Sequence, residues 1–248
     1  MAVWFCEMVI ASRLPSVMAP VTARLCTRFI RAVIVLDLQY VRTYCKDMPK
    51  PSLKNEIIAA GLRVMFRKGY EGASVRDVVA EAGAPQGSFT NHFRSKEAFA
   101  EAVLNHYFDR TRGLVMAALG DSSLTPRDRL RRYLDVITDR LAADNYMRGC
   151  LIGDFSIEVS QASDALRQQL AEIYREWLVP FADCIAEGQR SGEIDDRFSP
   201  QDLAEFLLTS WEGAILRMKV ERDPEPLERF KRIAFATVFS SAERTVTK

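Results

Sequence analysis

Histidine is almost missing from this 248-residue chain, which holds only His92 and His106. Five cysteines are scattered through it with no CxxC pair. These shortages exclude the closely spaced His/Cys sets that hold zinc, and an odd, irregular cysteine count makes no disulfide framework. No metal and no cofactor is expected, and reduced thiols fit a cytoplasmic protein. Long hydrophobic runs are missing too. The apolar stretches at 3–10 and 32–38 are too short to cross a bilayer. Arg13 follows the first of them instead of preceding it, the reverse of a signal peptide. No stable membrane association is therefore expected. There is no strand-like alternation, repeat or low-complexity segment, and no convergent set of acid, base and nucleophile that would mark an enzyme.

What is present is a chain that is 48% hydrophobic, enough for a sizeable core, with a net charge of +1. The charge is unevenly placed. Residues 1–49 carry six basic and three acidic side chains, +3, and residues 50–96 carry eight and four, +4. The remainder is therefore −6. One end is suited to phosphates and the other is not.

Residues 1–47 differ from the rest and hold three of the five cysteines. Met48-Pro49-Lys50-Pro51-Ser52 reads as an ordinary bacterial start. The expectation is that translation begins at Met48 and that 1–47 is either untranslated or disordered. The rival reading is a true extension, serving as a basic arm on DNA or a membrane-surface anchor. N-terminal sequencing of protein made from the native gene separates the two.

From Ser52 onward the pattern is helical. Ser52 caps a helix to about Lys68, with Gly69 as its stop and Ile58, Leu62, Met65 and Phe66 as its stripe. Ser74 and Asp77 form a capping-box pair ahead of Val75, Val78, Val79 and Ala82. Gly83 ends that helix, Ala84 and Pro85 turn the chain, and Pro85 suits the first positions of the next helix. Phe89 and Phe93 anchor it, while Gln86, Gly87, Ser88, Thr90, Asn91 and His92 leave a short polar surface around a glycine. This is the pattern of a DNA-binding helix-turn-helix. Ser95 caps a further helix through Phe99, Val103 and Tyr107 towards Leu119.

Thr125-Pro126 opens the next helix, with Leu130, Tyr133, Leu134, Ile137 and Leu141 inward. Residues 148–160 form a short apolar helix. Asp164 to Glu187 forms a long one that Pro180 should kink, followed by a loop from Gly188 to Gly192. Ser199-Pro200 starts a helix with Leu203, Phe206, Leu207, Trp211, Ala214, Ile215 and Met218 on one broad face. Pro224 and Pro226 break it. A last helix spans Leu227 to Arg244, with Phe230, Ile233, Ala234, Thr237 and Val238 inward.

Residues Ile57 to Leu104 resemble the N-terminal domain of the TetR/AcrR transcriptional repressors. The resemblance lies in Phe66 with Gly69-Tyr70, Ser74-Val75, Ala82-Gly83, Gly87-Ser88-Phe89, His92-Phe93 and Ser95-Lys96-Glu97. GCLIGDFSIEVS, the long helix after it and EGQRSGEI are similar to one C-terminal subgroup of that family. The resemblance implies an all-α fold: a three-helix DNA-binding domain over 50–110 and a larger ligand-binding and dimerisation domain over 111–248. It also implies a homodimer through the last two helices, a palindromic operator and release by a small-molecule effector. Thr90 stands where the family usually has a phosphate-gripping Tyr, and Pro85 where a capping Ser is common.

The candidate DNA contacts are Ser74, Arg76, Gln86, Gly87, Ser88, Thr90, Asn91, His92 and Lys96. Gln and Asn can pair with adenine, Ser and Thr serve base or phosphate, and helix N-termini at Ser74 and Lys96 attract phosphate. Capping alone is the other reading for Ser74, and plain exposure the other for Arg76. Candidates for a ligand site are His106, Arg148, Cys150, Phe155, Trp211 and Glu212. Arg148 could hold an anion, Cys150 could sense an electrophile, and each aromatic could equally be core. Glu212 on an apolar helix needs a partner or solvent. An all-α small-molecule enzyme and a membrane-associated adaptor are the alternatives to a ligand-responsive repressor.

Overall fold

The computed structural model describes residues 52–159 and 163–241. The segment 1–47, the proposed start at Met48, Ser160 and the stretch 242–244 of the expected last helix lie outside the described residues. Among those described, every regular element is a helix. In chain order these are α1 (Leu53–Gly72), α2 (Val75–Glu81), α3 (Gly87–His92), α4 (Lys96–Leu119) and α5 (Pro126–Ala143). Then come α6 (Leu151–Val159), α7 (Asp164–Ser191), α8 (Pro200–Glu221) and α9 (Glu225–Thr237).

The helix starts follow the expected chemistry. Ser52, Ser74, Ser95, Thr125 and Ser199 each accept a hydrogen bond from the backbone N–H three residues on, which satisfies a donor the helix cannot. Gly69 breaks α1 at φ +71°, and Gly83 ends the α2 turn at φ +62°. Both are conformations that cost a side-chain-bearing residue energy.

Three details differ from the sequence reading. Pro85 lies outside α3, because its carbonyl accepts from the Ser88 N–H at 2.9 Å and holds the turn until Gln86. Gly188 belongs to α7, not to a loop, because Ile194 packs over it; a Cβ there would sit 2.7 Å from Ile194 Cδ1. The left-handed residue that stops α7 is Gly192, φ +79°. Finally, α9 buries Leu227, Lys231, Ala234 and Phe235, whereas Ile233 is 55% exposed and Thr237 is exposed.

The head is α1 to α3 with the start of α4, closed by the edge-on rings of Phe89, Phe93 and Phe99. Gly61 is needed there because Phe99 occupies the space of its absent Cβ. α4 runs unbroken past residue 110 into the body, where α7 packs against α4, α5, α6 and α8. Tyr133, Phe155, Phe181 and Trp211 are fully buried. Each large apolar side chain so buried contributes roughly 1.5–3 kcal/mol. Buried cations fix the seams: Arg129 pairs with Glu187 at 2.5 Å and donates to the Leu119 carbonyl, while Lys231 bridges Asp135 and Glu228 at 2.7 and 2.8 Å.

Candidate functional site

The head presents an exposed edge made by α3. Gln86, Gly87, Thr90, Asn91 and His92 are exposed along it, whereas Ser88 is only 9% exposed and faces the head's own core. Among the described residues, nothing outside its own helical turn and chain neighbours lies within 4 Å of a Cβ built on Gly87, so no tertiary packing there requires a glycine. The Thr90 hydroxyl donates to the Gly87 carbonyl at 2.9 Å, an internal use of that group. Ser74 is likewise engaged. Its Oγ accepts from the Asp77 N–H, and Asp77 Oδ2 accepts from the Ser74 N–H, both at 3.1 Å. The Lys68 ammonium and then the Ser74 hydroxyl hold the Asp77 carboxyl well below the usual carboxylate range, so the box stays ionised at neutral pH.

The cations of the head divide into two groups. Arg63 and Arg67 grip Glu81, and Lys68 grips Asp77. Lys96 donates to the Glu71 carbonyl at 3.1 Å and sits 4.6 Å from the Tyr70 ring centroid, tying α4 to the end of α1. Arg76 and Arg94 are exposed, and neither makes a salt bridge among the described residues. Arg94 escaped the sequence reading because it falls between two helices, outside any face.

Behind the head lies a cavity of about 460 Å³. His106, Arg148, Cys150, Trp211 and Glu212 line it, together with Tyr107, Tyr133 and Trp177. Ala59, Leu62, Arg63 and Phe66 of α1 complete its wall. Phe155 does not reach it; its buried ring instead packs 5.7 Å from that of Tyr70. Arg148 is bound to Asp144 at 2.6 and 2.8 Å and lies over the Phe66 ring, so its charge is already matched. The Tyr107 hydroxyl donates to Cys150 Sγ at 3.9 Å. Burial, with the Glu212 charge second, pushes the Cys150 thiol up. A thiol kept protonated is a poor nucleophile. Burial also raises the Glu212 carboxyl to about 7.

Residues 57–103 match the family model described as bacterial regulatory proteins, tetR family, and residues 126–234 match the tetracyclin repressor-like C-terminal domain. The chain is 41% identical over 196 residues to the HTH-type transcriptional repressor DhaR of Mycobacterium sp. (strain GP1), covering 79% of this chain and 97% of that one. It belongs to the TetR family. It is 35% identical over 188 residues to the transcriptional regulator AcuR of Cereibacter sphaeroides, covering 75% of this chain and 86% of that one. The crystal structure of regulatory protein TetR from Rhodobacter sphaeroides superposes with a TM-score of 0.70 at 35% identity, over 72% of this chain and 95% of that one.

As a TetR-family member the chain is a DNA-binding transcriptional repressor and not an enzyme. Tyr107 and Tyr133 were visible in the sequence only as members of apolar stripes. Trp177 carried no signal at all, because an aromatic on a long amphipathic helix looks the same whether it meets core or cavity. The head residues on the cavity wall were likewise indistinguishable from core.

Proposed function

We propose that this repressor holds a palindromic operator as a homodimer and lets it go when a small molecule enters the cavity. The carrying observation is that α1, a helix of the DNA-binding head, forms one wall of that cavity through Leu62, Arg63 and Phe66. A ligand pressing on this wall changes the angle of the head directly. The exposed edge supplies the DNA contacts. Gln86 and Asn91 read base edges, Gly87 allows close approach, Arg76 and Arg94 meet phosphates, and Thr90 and His92 pack on the backbone. Ser74, Ser88 and Lys96 hold the head in shape.

The two recognition helices must lie roughly 34–36 Å apart to reach successive major grooves. A ligand that prefers a wider dimer shifts the population away from the DNA-bound form. By reciprocity, bound operator weakens the ligand to the same degree. The groove between α8 and α9, lined by Phe206, Phe230, Ile233 and Val238, supplies the dimer contact.

The test uses full-length protein and a labelled fragment from upstream of its own gene. Sequence-selective binding that weakens with salt is expected, with a two-to-one protein-to-operator ratio. Absence of selectivity over random DNA of equal length would sink the reading.

A further inference from the structure

Taking the cavity as the effector site, we infer that its effector is an uncharged, largely apolar molecule bearing a hydroxyl, and that Glu212 is the residue that selects it. The cavity has a dry end and a charged mouth. At the mouth Arg110 and Arg140 are exposed and remain in water. Arg148 and Arg63 are already matched by Asp144 and Glu81. At the dry end three polar atoms are buried without a hydrogen-bond partner among the described residues: Trp177 Nε1, Trp211 Nε1 and Glu212 Oε1.

Glu212 lines the cavity, and its Oε1 is buried out of reach of solvent. Its Oε2 lies against Gly153, where a Cβ would come within 2.6 Å of it. Gly153 is thus the residue that makes room for this carboxyl. An unpaired buried polar group is costly, whereas an exposed arginine is not. The strongest unmet demand is therefore at the dry end, and at Glu212 Oε1 it is for a donor. A hydroxyl supplies that donor without a charge. At pH 8, where the titrations are run and Glu212 is mostly ionised, a carboxylate would face it with like charge, and an ammonium ion would have to pass the arginines of the mouth. The aromatic walls of Tyr107, Tyr133 and Trp177 take the apolar remainder.

The experiment is calorimetric titration of the full-length protein, without DNA, by four molecules of one shape: benzyl alcohol, toluene, benzoate and benzylamine. Benzyl alcohol should bind tightest, about tenfold better than toluene, the usual gain from a hydrogen bond to a buried carboxyl. Glu212→Gln keeps an acceptor and should keep this order, while Glu212→Leu should reduce the alcohol to the level of toluene. Tighter binding of benzoate or benzylamine overturns the inference. So does no binding by any of the four, or an unchanged alcohol preference in Glu212→Leu. If the leucine variant does not fold, the wild-type order still decides. Operator release is measured separately. An alcohol that binds in this order yet leaves DNA bound supports the pocket chemistry and counts against effector-controlled release.

Discussion

Single side chains set the pH behaviour and the division of labour in the head. Burial raises the Glu212 carboxyl from its ordinary 4.5 to about 7. A raised folded-state value means that the proton is held more tightly in the native protein. Stability from this group is complete below about pH 4.5 and is lost as pH climbs through about 7. The loss is on the order of 3 kcal/mol. Thermal melts of wild type should therefore fall between pH 5 and 8 more than those of Glu212→Gln; equal slopes would refute the assignment. In the head, Arg94→Ala should weaken all DNA sequences alike and lower the salt slope by about one. Lys96→Ala should instead lower the melting temperature, by about 1 kcal/mol of stability for its lost bond to the Glu71 carbonyl. Sequence alone placed Lys96 with the phosphate contacts, since a cation at a helix start looks the same whether it faces water or a neighbouring carbonyl.

At the scale of elements, α6 links cavity to head. It starts beside Cys150 on the cavity wall, and near its far end the Glu158 carboxylate accepts from the Glu71 N–H at 3.1 Å. That carboxylate lies over Gly69, whose φ of +71° and missing Cβ allow both the break in α1 and this approach. Glu158→Ala should leave helical content unchanged by circular dichroism and reduce the ligand-induced release of DNA, because one of two routes from cavity to head is cut. Release identical to wild type would show that the α1 wall suffices. Gly69→Ala meets both a strained backbone and Glu158, and should cost roughly 1–3 kcal/mol in chemical denaturation. The glycine was legible as a helix stop. Its second role was not, because Glu158 is 89 positions away.

For the whole molecule, the two faces of α9 divide the work. Leu227, Lys231, Ala234 and Phe235 seal the subunit, and Ile233 with Phe206 remains outside. An apolar side chain left in water on two adjacent helices suits a self-complementary contact. Ile233→Glu together with Phe206→Glu should yield a folded monomer by sedimentation and abolish operator binding at concentrations where wild type binds. A dimeric double variant would place the contact elsewhere.

The sequence by itself determined the all-helical class, the caps at Ser52, Ser74, Ser95, Thr125 and Ser199, and the helix-turn-helix with its breaks at Gly69 and Gly83. These are local: hydrogen bonds three residues apart and backbone angles at one residue decide them. Only the tertiary structure decided which stripe of α9 faces inward, that Gly188 continues α7, and that Ser88 and Lys96 are turned into the head. It alone brought Glu212, Tyr107 and Trp177 from three helices, and Cys150 from the loop ahead of α6, to one cavity and set α1 as its wall. An amphipathic pattern says that a face is apolar; it does not say whether that face meets core, cavity or a second subunit, because burial acts through area and is indifferent to the partner.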